Sequence, residues 1–354
     1  MLLLAACAGT MTRTPETSPS AAPSAAEAPN PWPVKTREHV DLWLHGYALL
    51  TRDTARVPLF RPGYREAMLR RRAAAGVTTA LDANMERLEE GLADRPSLVN
   101  GQFVPLYFAG WEELREAVDL FLQAEGNPRR AATERGARVI AFLAASFPSA
   151  ADRDWLRLFI MALDDERDRF YRAQWSAEQE RRAPVVAEVN RLWQGELRPR
   201  FQGFLNNTLQ LNGDLMLALP LGGEGRTVGG RRTENVVAVT YPDSARAAIE
   251  AVYVFAHEVV GTVAQQAVDD HTTPAEKRDG VADRLQGTAL VRGGAMLLQR
   301  VAPELADGYA RYYLSLSGAR VTGEPLAALE RAFPLPAPLA ESLARQIELV
   351  LGGI

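Results

Sequence analysis

This chain of 354 residues contains little cysteine and histidine and has no excess of basic charge. Its single cysteine excludes an internal disulfide, a zinc knuckle built on cysteine pairs and a CxxC redox centre. Its four histidines leave few candidates for a metal site. The 40 Lys and Arg residues face 44 Asp and Glu residues, which gives a net charge of −4. Because nucleic-acid binders normally carry a basic footprint, we expect no nucleic-acid partner.

Apolar residues, in contrast, are plentiful. They make up 47% of the chain, against 24% charged residues, which suffices for a sizeable core and for two lobes. After the N-terminus, no stretch approaches the ~20 consecutive apolar residues that a membrane-spanning helix needs. The composition therefore predicts a globular protein without a membrane span in its folded part.

The lone cysteine closes the sequence Leu4-Ala5-Ala6-Cys7. An apolar run that ends in small residues before a cleavage point is typical of a secretory signal, and these four residues resemble the lipobox of bacterial lipoproteins. The resemblance implies that Cys7 is lipidated and tethers the chain to a membrane surface without spanning it. Ala8 after the cysteine is compatible with sorting to the outer membrane. We therefore expect an extracytoplasmic, lipid-anchored protein of the bacterial cell envelope, whose lipid anchor makes the membrane a partner.

The segment before Cys7 is shorter than a complete signal, because only Met1 to Ala6 precede the cysteine. This favours a translation start further upstream or a truncated sequence. An unremarkable cytoplasmic start rich in Leu and Ala is the alternative.

A proline-rich spacer follows the cysteine. Between Thr10 and Pro33, six of the 22 prolines stand among Ser, Thr and Ala, a composition typical of an extended, semi-rigid linker. The predicted organisation is a signal remnant over residues 1–7, a disordered linker over 8–33, a helical domain over 34–200 and a second domain over 201–354.

Helical periodicity dominates residues 34–200, with one exception at 101–108 that predicts a short strand. Apolar residues recur at the helical spacing in the segments 39–47, 80–92, 111–123, 137–147, 155–173 and 185–193. After residue 201 the pattern predicts strands at 214–219 and 235–240, separated by a flexible glycine-rich loop that lacks the spacing of a phosphate-binding P-loop. A long helix is expected from about 245 to 268, and the remainder is helical. The predicted fold class is mainly α with a small β-sheet (α+β).

The long predicted helix carries the sequence His257-Glu258-Val259-Val260-Gly261 at the edge of its apolar stripe. A buried histidine and glutamate lose hydration, so both need partners. Here the chain resembles the zincin metallopeptidases, whose helix carries H-E-x-x-H: two histidines one turn apart hold a zinc ion, and the glutamate polarises the attacking water. The order of strand, glycine-rich loop, strand and helix agrees with this resemblance, which covers residues 201–313 and makes the C-terminal half zincin-like.

The resemblance implies a zinc ligand at His257, a general base at Glu258, and a loop at the edge of a substrate cleft that contains Gly222, Gly223 and Gly225. The motif is degenerate, however, because Gly261 stands where the second histidine is required. Segment 284–301, where a further carboxylate ligand is expected, contains no Asp or Glu. The expected cofactor is therefore none or zinc.

Three hypotheses follow. In the first, a zincin-like scaffold has lost catalysis and serves for binding a peptide or protein, or for structure. In the second, the chain is an active zinc-dependent peptidase whose atypical ligand set is completed by residues from elsewhere, the candidates being Asp269, Asp270, His271, Asp283, His39 and His45. In the third, the chain is a helical envelope scaffold without enzymatic function, in which His257 and Glu258 form a satisfied polar pair and Gly261 allows close packing against Gly293 and Gly294.

The remaining candidates favour structural roles. His39 and His45 lie six residues apart and do not share a helical face, so we expect them at the surface or at a cap. The charge cluster at 164–169 predicts a solvated helix face. Three tyrosines at helical spacing are more typical of a core than of a substrate cleft, namely Tyr309, Tyr312 and Tyr313.

Overall fold

Residues 31–51, 55–229 and 234–353 are described by the computed structural model of this chain. From Pro31 onward they belong to one compact unit, which is mainly α-helical and contains a small β-sheet. The predicted fold class is therefore confirmed. Cys7, the predicted lipidation site, lies outside the described residues, as does most of the predicted linker.

The first part of the described chain is helical apart from one short strand. It contains strand β1 (Val34–Lys35), followed by α1 (Glu38–Leu50), α2 (Tyr64–Ala74), α3 (Ala80–Asp94), α4 (Trp111–Gln123), α5 (Glu134–Ser146), α6 (Ala150–Glu166), α7 (Arg172–Leu192) and α8 (Arg198–Asn207). The second part contains β2 (Gly213–Ala218), β3 (Arg226–Val228), β4 (Asn235–Thr240), α9 (Ile249–Val259), α10 (Gly261–Asp270), α11 (Pro274–Arg278), α12 (Val281–Val301), α13 (Ala306–Leu316), α14 (Pro325–Ala332) and α15 (Ala337–Gly352).

The two predicted domains are joined by continuous structure. Two π-helical segments, Arg167–Tyr171 and Trp193–Leu197, connect α6, α7 and α8 into one helical run. The boundary predicted between residues 200 and 201 falls inside α8. Strand β1 pairs with β2 across that boundary, and Trp32, at the end of the predicted linker, is fully buried. The division into two lobes stays a prediction.

The sheet has the order β1-β2-β4-β3. Strands β1, β2 and β4 run parallel, and β3 pairs antiparallel with β4 at the edge. The predictions for β2 and β4 are confirmed within one residue, because both are apolar runs bounded by turn residues. The expected flexible loop between them instead contains β3.

The prediction of a short strand at 101–108 is wrong. The segment lies in two 3-10 turns, Pro96–Gly101 and Val104–Tyr107. Each turn has a proline at its start, at positions 96 and 105, where the fixed φ of proline suits a turn and its missing N–H is not needed.

The expected long helix is divided in two. A 3-10 turn at Ala245–Ala247 leads into α9, and α10 begins at Gly261 after a break at Val260. From Ala251 to His257 every side chain of α9 is at least 93% buried. Helix α9 packs against β4, α12 and α13, which makes it the central helix of the core.

By length and composition alone, the run Ala245–Asp270 could cross a membrane. We expected no such stretch after the N-terminus, because the run is interrupted by the Gly, Thr and Gln residues of α10. It qualifies because its mean hydropathy is high, at 1.4. Its apolar window is 67% buried inside the fold, as is typical of a core helix.

Glycines on α12 allow close helix packing, although Gly261 does not take part. An added Cβ at Gly294 would lie 2.2 Å from the Tyr309 hydroxyl, and one at Gly293 would lie 3.3 Å from Cγ2 of Val260. At Gly261, nothing described lies within 4 Å of such a Cβ. The close packing expected for Gly261 is therefore wrong, since its Cα faces open space.

Two glycines of α12 provide a matched test of this packing. We expect Gly294→Ala to lower the free energy of unfolding by about 1–3 kcal/mol, because the methyl group would collide with the ring of Tyr309, whose hydroxyl is bonded to the Val291 carbonyl. Gly287 has no such neighbour, so Gly287→Ala should raise stability by up to ~1 kcal/mol. Urea unfolding of both variants measures the difference, and equal effects would contradict the packing.

Candidate functional site

His257 lies in the core near the end of α9. Its side chain is 1% exposed, and its ring stacks on Tyr313 with centroids 5.2 Å apart and an interplanar angle of 20°. Neither ring nitrogen has a hydrogen-bond partner among the described residues. Nε2 lies 3.7 Å from Oε1 of Glu258, which is beyond hydrogen-bond distance.

Burial alone lowers the pKa of His257 to about 3. Transfer into the core disfavours the charged imidazolium, and Glu258, whose Oε1 lies 3.7 Å from Nε2, makes no hydrogen bond to the ring that would offset this cost. The imidazole is therefore neutral at neutral pH, and His257 and Glu258 do not form the satisfied polar pair of the third hypothesis.

Glu258 points toward the edge strand. Its Oε1 accepts a hydrogen bond from the backbone N–H of Gly225 at 3.0 Å, just before β3. Burial raises the pKa of Glu258, while hydrogen bonds from the backbones of Gly225 and Thr227 and the charge of Arg226 oppose the rise. The side chain remains 11% exposed. Glu258 thus connects the central helix to the edge of the sheet.

The glycine-rich segment is tightly packed at its start. An added Cβ would lie 2.9 Å from the Pro58 carbonyl at Gly222, 2.3 Å from Leu316 at Gly223 and 2.0 Å from the Ala238 carbonyl at Gly225. The expected flexibility is therefore wrong for these three positions, because their glycines are required by close approach of neighbouring atoms. The Tyr313 hydroxyl also donates to the Gly223 carbonyl at 2.9 Å.

A cleft of ≈ 510 Å³ opens beside Glu258. It lies where β2 and β4 begin, and it is lined by Thr208, Leu209, Gln210, Thr227, Gly229, Asn235, Glu258, Val259, Gly261 and Thr262. Its described lining contains a single charged side chain, that of Glu258, among neutral polar groups. This composition suits neutral hydrogen-bonding ligands such as peptide amides better than polyanions.

Two buried polar atoms of the cleft are unpartnered in the described part of the chain, Oε1 of Gln210 and Oγ1 of Thr227. Such groups cost free energy when left unpaired. Leu209 adds a third unusual feature at the rim, because it adopts a φ of 59° and is 57% exposed. The left-handed region is unfavourable for a leucine, and strained residues cluster at binding sites.

The described residues around His257 do not fit a zinc ion. Gly261, at the position of the second zincin histidine, offers no ligand, and Asp283 is the only acidic residue of α12. Within residues 31–51, 55–229 and 234–353, no group of three or more His, Cys, Asp or Glu side chains could hold a metal ion. His257 therefore lacks companions for a ligand set among the described residues.

The other candidate ligands lie elsewhere. His39 and His45 are buried, so the expectation of surface or capping positions is wrong. The reason is that α1 is buried on nearly all sides. His39 Nε2 lies 3.2 and 3.0 Å from two backbone carbonyls. His271 is exposed just after α10, and Asp269 pairs with Lys277.

His45 instead belongs to a buried polar network that the sequence did not indicate. Its ring nitrogens lie 3.1 Å from the Tyr64 hydroxyl and from Glu166, and Glu166 also accepts from Arg72 at 2.8 Å and from Thr79. Glu166 is 0% exposed, so the solvated face expected for 164–169 is wrong at this position. The partner arginine, on α2, compensates its charge.

Sequence reasoning missed the polar lining of the cleft. Gln210 and Leu209 lie between α8 and β2, and Thr227 lies in the unpredicted strand β3. The run Asn206-Asn207-Thr208 before β2 was the available signal, since polar residues mark helix ends as well as binding sites. The prediction that Tyr313 packs in the core is confirmed, because its side chain is fully buried.

Comparisons with protein-family models, with curated proteins and with solved structures find no match for this chain.

The buried neutral His257 predicts a pH dependence. Because its folded pKa, about 3, lies below the model value of 6.5, the unfolded chain binds the extra proton first, and stability falls as pH decreases from 6.5. This term amounts to about 2 kcal/mol near pH 5. His257→Leu should remove it, and at about pH 7 should leave stability unchanged or raise it by ~1 kcal/mol, since no hydrogen bond is lost.

Urea unfolding at about pH 7 and pH 5 measures both effects for the wild type and for His257→Leu. A loss of several kcal/mol at neutral pH would show that His257 makes a contact that the described residues do not provide.

Proposed function

We propose that this chain is a lipid-anchored, extracytoplasmic protein of the bacterial envelope whose zincin-like scaffold binds an extended peptide without cleaving it. The observation that carries the proposal is the state of the motif: His257 is sealed beneath Tyr313, and position 261 has no side chain beside an open cleft. A scaffold in this state retains a cleft and an edge strand. It lacks the second histidine that the chemistry requires.

The cleft supports a peptide as the occupant. Peptides offer alternating N–H and C=O groups, which match the unpartnered Gln210 Oε1 and Thr227 Oγ1. Leu209, exposed at the rim, offers an apolar contact for a ligand side chain. Extracytoplasmic attachment rests on the resemblance of Leu4-Ala5-Ala6-Cys7 to a lipobox.

A second candidate function is an active zinc-dependent peptidase with His257 as ligand and Glu258 as general base. One observation favours it: a carboxyl group with a raised pKa next to a cleft is typical of active sites. The buried packing of His257 and the absence of side chain at position 261 argue against this candidate.

A library of immobilised random decapeptides tests the two candidates together. We expect the purified protein to bind a subset of peptides and, after incubation with zinc, to leave all of them intact by mass spectrometry. Cleavage that requires zinc and disappears in Glu258→Gln would overturn the non-catalytic proposal. Failure to bind any peptide would favour a purely structural envelope scaffold.

Thr227→Val tests whether the cleft is the binding site. The substitution keeps the side-chain shape and removes only Oγ1, so we expect the selected peptides to bind about three- to tenfold more weakly. Thr288→Val is the matched control, because Thr288 is half-buried on α12, does not line the cleft, and donates its hydroxyl to the Arg284 carbonyl of its own helix. Equal affinities for the two variants would place the peptide elsewhere.

Leu209→Asn separates affinity from stability. Asparagine tolerates the left-handed conformation better than leucine does, so the melting temperature should stay the same or rise. The apolar rim contact is lost, so peptide affinity should fall. A parallel fall of both quantities would indicate that Leu209 has only a structural role.

A further inference from the structure

A second cleft lies at the opposite end of the sheet. Its lining includes Leu219, directly after β2, and Asp243, shortly after β4, together with residues of α7 and of the start of α2. The carboxyl ends of parallel strands are where open sheets with helical crossovers bind ligands. The peptide cleft is lined instead by residues at the beginnings of the same strands, so the two sites are separate.

Arginine dominates the charge of this second cleft. Its described lining contains Arg61, Arg71 and Arg182 against the two carboxylates of Glu178 and Asp243. Each carboxylate is shared: Glu178 pairs with Arg71 and Arg182, and Asp243 pairs with Arg61 and Arg182. One positive charge therefore remains in excess in the lining.

The donors of these arginines are not all used. Arg182 uses four of its five N–H donors on Glu178, Asp243 and two backbone carbonyls. Arg61 uses both terminal nitrogens on Asp243, Thr240 and the Tyr241 carbonyl, but its buried Nε–H finds no acceptor in the described part of the chain. A buried donor without an acceptor costs free energy.

The remaining wall is aromatic and apolar. Tyr64, Met68, Tyr171 and Trp175 line it, and the volume of ≈ 190 Å³ is smaller than the roughly 300–1,000 Å³ of pockets for drug-sized ligands. A single excess charge matches a monoanion better than a phosphate dianion. The wall matches an aryl or alkyl group.

We propose that this cleft binds a small organic monocarboxylate, whose carboxylate accepts a hydrogen bond from Nε of Arg61 and whose apolar part lies against Trp175 and Met68. The site does not depend on the proposed peptide binding. Trp175 also reports on it, because its side chain lines the cleft and its indole N–H donates to the buried carboxyl group of Asp41 at 2.8 Å.

Phenylacetate is a suitable probe, and its neutral amide, phenylacetamide, is the matched control. In ¹H–¹⁵N spectra of the full chain, we expect phenylacetate to shift the Trp175 indole resonance, assigned with Trp175→Phe, saturably at millimolar concentration or below. Phenylacetamide should bind at least about tenfold more weakly than phenylacetate, because a charge-assisted hydrogen bond is lost. Equal affinities, no shift, or tighter binding of inorganic phosphate would overturn the proposal.

Arg61→Lys tests the donor itself. Lysine keeps the charge but has no Nε–H of this geometry, so phenylacetate affinity should fall about tenfold. Arg65→Lys is the control, since Arg65 pairs with Glu89 and does not line the cleft; its affinity should equal that of the wild type. Unchanged binding by Arg61→Lys would contradict the assignment, and the amide comparison needs no variant if Arg61→Lys fails to fold.

Discussion

The burial of α9 is the constraint on which the rest of the candidate site depends. This helix is enclosed by β4, α12 and α13, so both polar residues near its end must either find partners in the fold or remain neutral. Glu258 reaches the Gly225 N–H at the edge strand. His257 finds no hydrogen-bond partner in the described part of the chain and is held neutral beneath Tyr313.

This difference determines what the motif can do. A ligand histidine needs a lone pair directed at a metal and a second donor one turn later. Here the turn after His257 ends the helix at Val260, and Gly261 opens toward the cleft. Because a glycine stands at this helix end, the position of the second ligand has no side chain, and the cleft has space there. The described lining of the cleft is polar and contains one ionisable side chain, that of Glu258, and we propose that a peptide binds there.

The regular parts of the fold could be predicted from the sequence, whereas the features that depend on tertiary contacts could not. Strands β2 and β4 and the central helix were visible because apolar periodicity is a local signal. Strand β3 was missed because its segment is rich in glycine, and those glycines reflect the close approach of Ala238 and Leu316, which no local pattern shows. His45 and Glu166 were assigned to the surface because their partners lie 19 to 121 residues away. The unpartnered atoms of the cleft could not be predicted at all, since burial without a partner is a property of packing.

Metal content is the measurement that tests the central claim most directly. After dialysis against excess zinc and removal of free metal, the zinc bound per chain is determined by mass spectrometry for the wild type and for His257→Ala. The account predicts substoichiometric zinc that does not differ between the two proteins. One zinc ion per wild-type chain, lost in His257→Ala, would contradict it.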